Sequence, residues 1–173
     1  MENKNTLILG IGNALLSDEG AGIHALDYLH EHYSDLPDVA LLDGGTLSFT
    51  LLPYIEAAEN LIVVDAAELG AAPGTVKIFR GEAMDRFAGM PRRSVHEVSL
   101  ADLLDICHLT GTLSGRRALV AVQPQLIDWG AQLSTPVVAA LPGIARQVAD
   151  LVGQWATERQ ARATAGGSLA VER

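Results

Sequence analysis

Residues 10–20 read Gly10-Ile11-Gly12-Asn13-Ala14-Leu15-Leu16-Ser17-Asp18-Glu19-Gly20, and this stretch decides how the rest of the chain is arranged. Before it, Thr6-Leu7-Ile8-Leu9 is apolar and partly β-branched, the composition of a buried strand. After it, Ile23, Leu26, Leu29 and Tyr33 recur at helical spacing. Two glycines let the backbone turn sharply where the strand ends. Ser17 or Asp18 is placed to cap the helix, its side-chain oxygen accepting orphan amide protons of the first turn. The Glu19 carboxylate then lies on that first turn, at the carboxyl edge of the sheet, where open α/β folds bind ligands.

Working outward, Val39-Ala40-Leu41-Leu42 reads as a second strand that ends in Asp43-Gly44-Gly45-Thr46. A helix over roughly 47–57 follows, with Leu51, Leu52 and Ile55 as its apolar face. Asn60-Leu61-Ile62-Val63-Val64-Asp65 is a third strand, apolar throughout as a central parallel strand should be. Strands joined by helices in this way form right-handed βαβ crossovers, which sets the class as α/β. Val76-Lys77-Ile78-Phe79 is a short strand expected to lie antiparallel at an edge. Residues 81–98 are polar and broken by Gly89 and Pro91, and are expected to be mostly loop. Ser99 caps a helix carrying Leu100, Leu103, Leu104 and Cys107, and Ala118–Val122 is the last strand, ending in Gln123-Pro124. Ser134-Thr135-Pro136 opens a final helix with proline in its first turn, running to about Trp155. One domain therefore occupies residues 1–156, and the polar residues 157–173 are expected to form a flexible tail.

Bulk properties narrow the function. The 173 residues are 49% hydrophobic with a net charge of −9, and mean hydropathy is +0.22, so the chain is globular and can build a real core. Apolar runs are strand-sized, well short of the ~20 residues of a membrane span. Met1-Glu2-Asn3-Lys4-Asn5 offers no secretory signal. A single cysteine forbids an intrachain disulfide and fits the cytoplasm. The acidic balance argues against nucleic acid and anionic membrane as partners. No stretch reads as an obligate interface, so a monomer is the default expectation.

Parallel strands deliver Glu19, Asp43 and Asp65 to one rim, and His96, in a loop just ahead of a helix, is able to fold over it. Two carboxylates and an imidazole suit a divalent transition metal such as nickel or zinc, with coordination positions left open. Each residue also has a plainer reading. Asp18 is a helix cap, and Asp43, ahead of two glycines, either hydrogen-bonds its own turn or serves as a ligand. Asp65 ends an apolar strand with no turn glycine beside it. A buried carboxylate there is costly unless it has work to do. His24, His30 and His32 read as solvated helix residues, His108 as a partner of a helix C-terminus, and Cys107 as core packing. Arg92 and Arg93 are surface charge or contacts for an acidic group. Trp129 is either a loop anchor or part of a docking patch.

Four segments taken together carry a resemblance. Leu9-Gly10-Ile11-Gly12-Asn13 with Ser17-Asp18-Glu19-Gly20, then Leu42-Asp43-Gly44-Gly45-Thr46, Val64-Asp65-Ala66, and Ser94-Val95-His96 with Leu100-Ala101-Asp102-Leu103-Leu104 resemble the hydrogenase maturation endopeptidases. Those enzymes trim the C-terminus of the large subunit of nickel–iron hydrogenases, and the likeness runs from about residue 6 to 155. It implies a single-domain three-layer α/β/α sandwich around a twisted, mostly parallel five-stranded sheet. It implies that Glu19, Asp65 and His96 contact a metal, with Asp43 a further acidic position near the site. The metal is the nickel already present in the substrate, and no organic cofactor is implied. The expected partner is the large-subunit precursor. One departure is Gln123-Pro124-Gln125, where the family often has an acid after the proline.

Rival readings fail on particular residues. A dinucleotide-binding loop needs a third glycine where Leu15 stands. Peptidyl-tRNA hydrolase has proline after its Gly-x-Gly-Asn, where this chain has Ala14, and a pI near 4.9 suits tRNA poorly. The absence of a G-x-S-x-G elbow and of H-E-x-x-H argues against an acyl-enzyme and a zincin. A chaperone that binds the precursor or nickel without cutting, and another small metallopeptidase on the same scaffold, are the remaining alternatives.

Overall fold

A computed structural model of the chain describes residues 5–90 and 98–167. Its strands are β1 (Thr6–Gly10), β2 (Val39–Asp43), β3 (Asn60–Ala66), β4 (Val76–Arg80) and β5 (Arg116–Val122). They form one sheet in the order β2-β1-β3-β5-β4. All pairings are parallel except that of β4 with β5, which is antiparallel and puts β4 at the edge, as its short sequence suggests. The helices are α1 (Ala21–His32), α2 (Leu52–Ala57), α3 (Glu82–Ala88), α4 (Leu100–Thr110) and α5 (Thr135–Gly167).

Side chains alternate across the sheet, and two separate cores result. Leu7, Leu9, Leu61, Val63 and Leu119 pack under α2, α3 and α4. Ile8, Ile62, Val64, Val120 and Val122 pack under α1 and α5. The α/β/α layering is thus written in the odd and even positions of β1, β3 and β5. Asp65 continues the odd series of β3, on the α2–α4 side.

Register places the strand ends. Gly10 pairs with Asp43 on one side and with Val64 on the other. Asp65, one residue further along β3, faces Ala121 of β5. The α4 helix begins with a full capping box, in which the Ser99 hydroxyl accepts the Asp102 N–H and the Asp102 carboxylate accepts the Ser99 N–H. It ends on Gly111 in the left-handed conformation. Beyond that turn, the Ser114 hydroxyl donates to the Ala58 carbonyl just ahead of β3, so α4 ends at the amino edge and starts toward the carboxyl edge.

Two expectations are corrected. Residues 82–88, read as loop, form α3, whose Met84 and Ala88 are buried and whose Asp85 receives a bidentate bond from Arg117 of β5 at 2.8 and 2.5 Å. The last helix does not stop near Trp155 but runs on to Gly167. Arg159 reaches Asp38 at 2.8 Å and Glu158 reaches Arg116 at 3.2 Å, which fasten that extension to the amino edge of the sheet.

Candidate active site

Glycine packing sets the positions of the two rim acids. A Cβ on Gly22 would lie 2.3 Å from the Val64 carbonyl oxygen and 2.4 Å from that of Ile11. The first turn of α1 therefore sits directly on the ends of β1 and β3. Gly12, at φ +133°, likewise leaves no room: a Cβ there would lie 1.8 Å from the Glu19 carbonyl oxygen. Glu19 is in the short 3-10 turn Ser17–Gly20 that leads into α1. Asp65 directly follows Val64. The same close approach that seats α1 thus brings the backbone of Glu19 to the sheet edge at which Asp65 stands, with Asp65 almost wholly buried and Glu19 half-buried.

Asp43 does what its plainer reading proposes. Its Oδ1 accepts the Gly45 N–H at 2.8 Å, an Asx turn, while its side chain is exposed. The Gly44 N–H donates to the Gly10 carbonyl and the Gly12 N–H to the Gly45 carbonyl, each at 2.8 Å, which joins this turn to the first loop. Among the described residues no three His, Cys, Asp or Glu groups stand together as a metal cluster. Asp43 accordingly does not join Glu19 and Asp65 in a preformed triad of acids. His96, with Arg92, Arg93, Ser94 and Val95, lies outside the described residues. The elements before and after them, α3 and α4, pack on the face to which Asp65 belongs.

The residue that sequence reasoning misjudged is Asp18. Neither it nor Ser17 caps α1, whose N-cap is Gly20 with no side-chain bond. Asp18 is fully buried and holds the loop that follows β5. Its Oδ2 accepts the N–H groups of Gln125 at 2.8 Å and Leu126 at 3.0 Å and the Ser134 hydroxyl at 2.7 Å. Its Oδ1 accepts the Ser134 N–H at 2.7 Å. Burial alone would raise its pKa, but the bonds from Leu126, Ser134 and Gln125 outweigh that and hold it below the ordinary carboxylate value. These partners lie more than a hundred residues away in sequence, so no local signal announces them.

A test of this role follows from the donor set. In Asp18→Asn an NH2 group replaces one acceptor and faces N–H donors. We expect a loss of about 3 kcal/mol, a fall in Tm of about 6–12 °C. Because the folded pKa is depressed, the wild-type carboxylate contributes its stability above the unfolded value of about 3.9 and loses it as pH falls through the folded pKa. Thermal melts between pH 3 and 7 should therefore show a gap between the two proteins that closes toward pH 3. A gap independent of pH would refute the assignment.

Gln123 is a second positioning group at this edge. Its buried carboxamide oxygen accepts the Leu69 N–H at 2.7 Å, and its nitrogen donates to Glu68 at 3.2 Å, tying down the loop that leaves Asp65. At Gln125 it is the backbone N–H that enters the Asp18 network, while the side chain is exposed. The remaining candidates keep structural roles. His30, His32 and His108 are exposed, and Cys107 is buried in the α2–α4 core, where burial pushes its thiol up. His24 is less exposed than expected, its Nε2 being buried.

Known proteins share this fold. Residues 23–151 match the HycI family model, described as hydrogenase maturation protease. The hydrogenase expression/formation protein HupM of Azotobacter chroococcum mcd 1 is 42% identical over 160 residues, covering 90% of this chain and 77% of that protein. The hydrogenase maturating endopeptidase HybD from E. coli superposes with a TM-score of 0.75 at 32% identity, over 83% of this chain and 89% of that one. The [NiFe] hydrogenase maturation protease HybD from Thermococcus kodakarensis does so with a TM-score of 0.72 at 28% identity, over 86% and 99%. With its five-stranded α/β/α frame and the two acids on its carboxyl rim, the chain belongs to the hydrogenase maturation proteases.

Proposed function

We propose that this protein is the endopeptidase that removes a C-terminal extension from the nickel-loaded precursor of a nickel–iron hydrogenase large subunit. The observation that carries the reading is the seating of α1 on Val64, which presents Glu19 and Asp65 at one rim of a protein in this family. In this reading Glu19, Asp65 and His96 complete the coordination of nickel brought by the precursor, and so fix the scissile bond at this rim. Water then adds to the scissile carbonyl and the peptide nitrogen leaves with a proton. Nickel activates that water as a Lewis acid, or a rim carboxylate removes its proton as general base. Two oxygen donors and one imidazole leave much of the coordination sphere to the substrate, so selectivity for loaded precursor follows from the ligand count. The protein acts in this scheme as a cytoplasmic monomer.

The test is a processing assay on nickel-loaded and nickel-free precursor, read as a mass shift at the precursor C-terminus. The expected result is cleavage of the loaded form alone. Cleavage of both forms would remove nickel from the reading. Binding of a verified cognate precursor without cleavage would favour a chaperone.

A further inference from the structure

The loop that Asp18 holds exposes large apolar side chains instead of burying them. Leu126 is 51% exposed, Ile127 58% and Trp129 80%, and Leu15 on the facing loop is 60% exposed. Backbone bonds make these two loops one unit. The Gly130 N–H donates to the Leu15 carbonyl at 2.9 Å, the Ser17 N–H to the Gly130 carbonyl at 2.7 Å, and the Asp18 N–H to the Leu126 carbonyl at 3.2 Å. The Ser17 hydroxyl adds a bond to the Asp128 carbonyl at 2.9 Å. A free loop would turn its tryptophan onto the protein, whereas this one is fastened with the tryptophan outward. A buried carboxylate spent on fastening an apolar loop is preorganisation for a partner.

We infer that Leu15, Leu126, Ile127 and Trp129 are the anchor by which the folded body of the precursor docks, alongside the rim that takes its C-terminal segment. This rests on the proposed function. The patch is continuous with the candidate site, since the loop bearing Leu15 runs directly into Glu19. A macromolecular substrate whose C-terminal segment reaches Glu19 and Asp65 must lay its body against the neighbouring surface, where the one charged side chain of residues 126–129 is the exposed carboxylate of Asp128. The partner chemistry that fits is an apolar patch with a pocket for an indole and no carboxylate opposite Asp128. Aromatic anchors fixed in place are the side chains on which interface energy concentrates.

Single-turnover cleavage of loaded precursor under excess enzyme separates docking from chemistry. For Trp129→Ala we expect the half-saturating enzyme concentration to rise tenfold or more, with the maximal rate within twofold of wild type. Trp129→Phe should recover most of the loss, and Ile127→Asp should reproduce it. Because both positions are exposed, circular dichroism melts should match wild type. A variant that saturates like wild type while wild type cleaves normally would overturn the anchor and leave the proposed function standing. No cleavage by wild type would instead overturn the proposed function. A concentration-dependent dimer in wild type that Trp129→Ala abolishes would show that the patch serves a second copy of the chain, which would also overturn the inference.

Discussion

An Asp65→Asn variant should process loaded precursor on the order of a thousandfold more slowly than wild type, while Asp43→Asn should stay within about threefold of it. Both substitutions keep shape and remove one charge, and both positions lie at the carboxyl ends of strands that flank β1. Their surroundings make the difference. Asp65 is almost wholly buried at the end of β3, on the face flanked by α3 and α4. An amide there is a poorer metal donor and a poorer base, and both routes to hydrolysis need the carboxylate. Asp43 is exposed and uses Oδ1 to accept the Gly45 N–H, a bond that an asparagine oxygen makes equally well. Mass-spectrometric progress curves on a saturating precursor would measure both. Equal, large losses would place Asp43 among the nickel ligands; equal, small losses would remove Asp65 from them. Glu19→Gln should follow Asp65→Asn if the two acids act on one ion.

Local pattern was enough to read most of the frame. Continuous apolar runs gave β1, β3 and β5, and the Ser99 cap and the left-handed Gly111 bound α4 where spacing predicts. The edge strand β4 was readable from its length and its flanking turn. Where the reading failed, the determinants were spread or distant. In α3 the apolar spacing of Met84, Phe87 and Ala88 and the pairing of Glu82 with Arg86 at 3.5 Å were present in the sequence, but a polar composition and Gly89 outweighed them. The end of α5 looks like a tail because its residues are polar. It is helical, and Glu158 and Arg159 reach Arg116 and Asp38 across the fold.

The site divides in the same way. Asp65 was legible because it closes the apolar run of β3, and Glu19 because it lies where the loop after β1 turns into a helix; a parallel sheet brings such positions to one edge. Asp18 was not, since its acceptor role is defined only by Gln125, Leu126 and Ser134. Trp129, left between anchor and docking surface by sequence, is shown by its exposure not to anchor the loop; the Asp18 carboxylate does that.

Stability and activity should fall together in Gly22→Ala, a substitution that ordinarily favours a helix by about 1 kcal/mol. Here the new methyl group would meet three backbone atoms: the Val64 carbonyl oxygen at 2.3 Å, the Ile11 carbonyl oxygen at 2.4 Å and the Ile11 nitrogen at 2.7 Å. No rotamer change relieves a clash with backbone, so α1 must lift by about 1 Å to restore ordinary contact. Overpacking of this kind costs typically 1–3 kcal/mol and sometimes more, and we expect Tm to fall by about 10 °C. Activity should fall further than stability, because Glu19 rides on the turn that leads into this helix. A displacement of about 1 Å at a positioning group costs on the order of a hundredfold in rate. Gly153→Ala, in α5 where nothing lies within 4 Å of the new methyl, is the matched control and should raise Tm slightly. If Gly22→Ala melted and cleaved like Gly153→Ala, α1 would not be the element that sets the distance between Glu19 and Asp65.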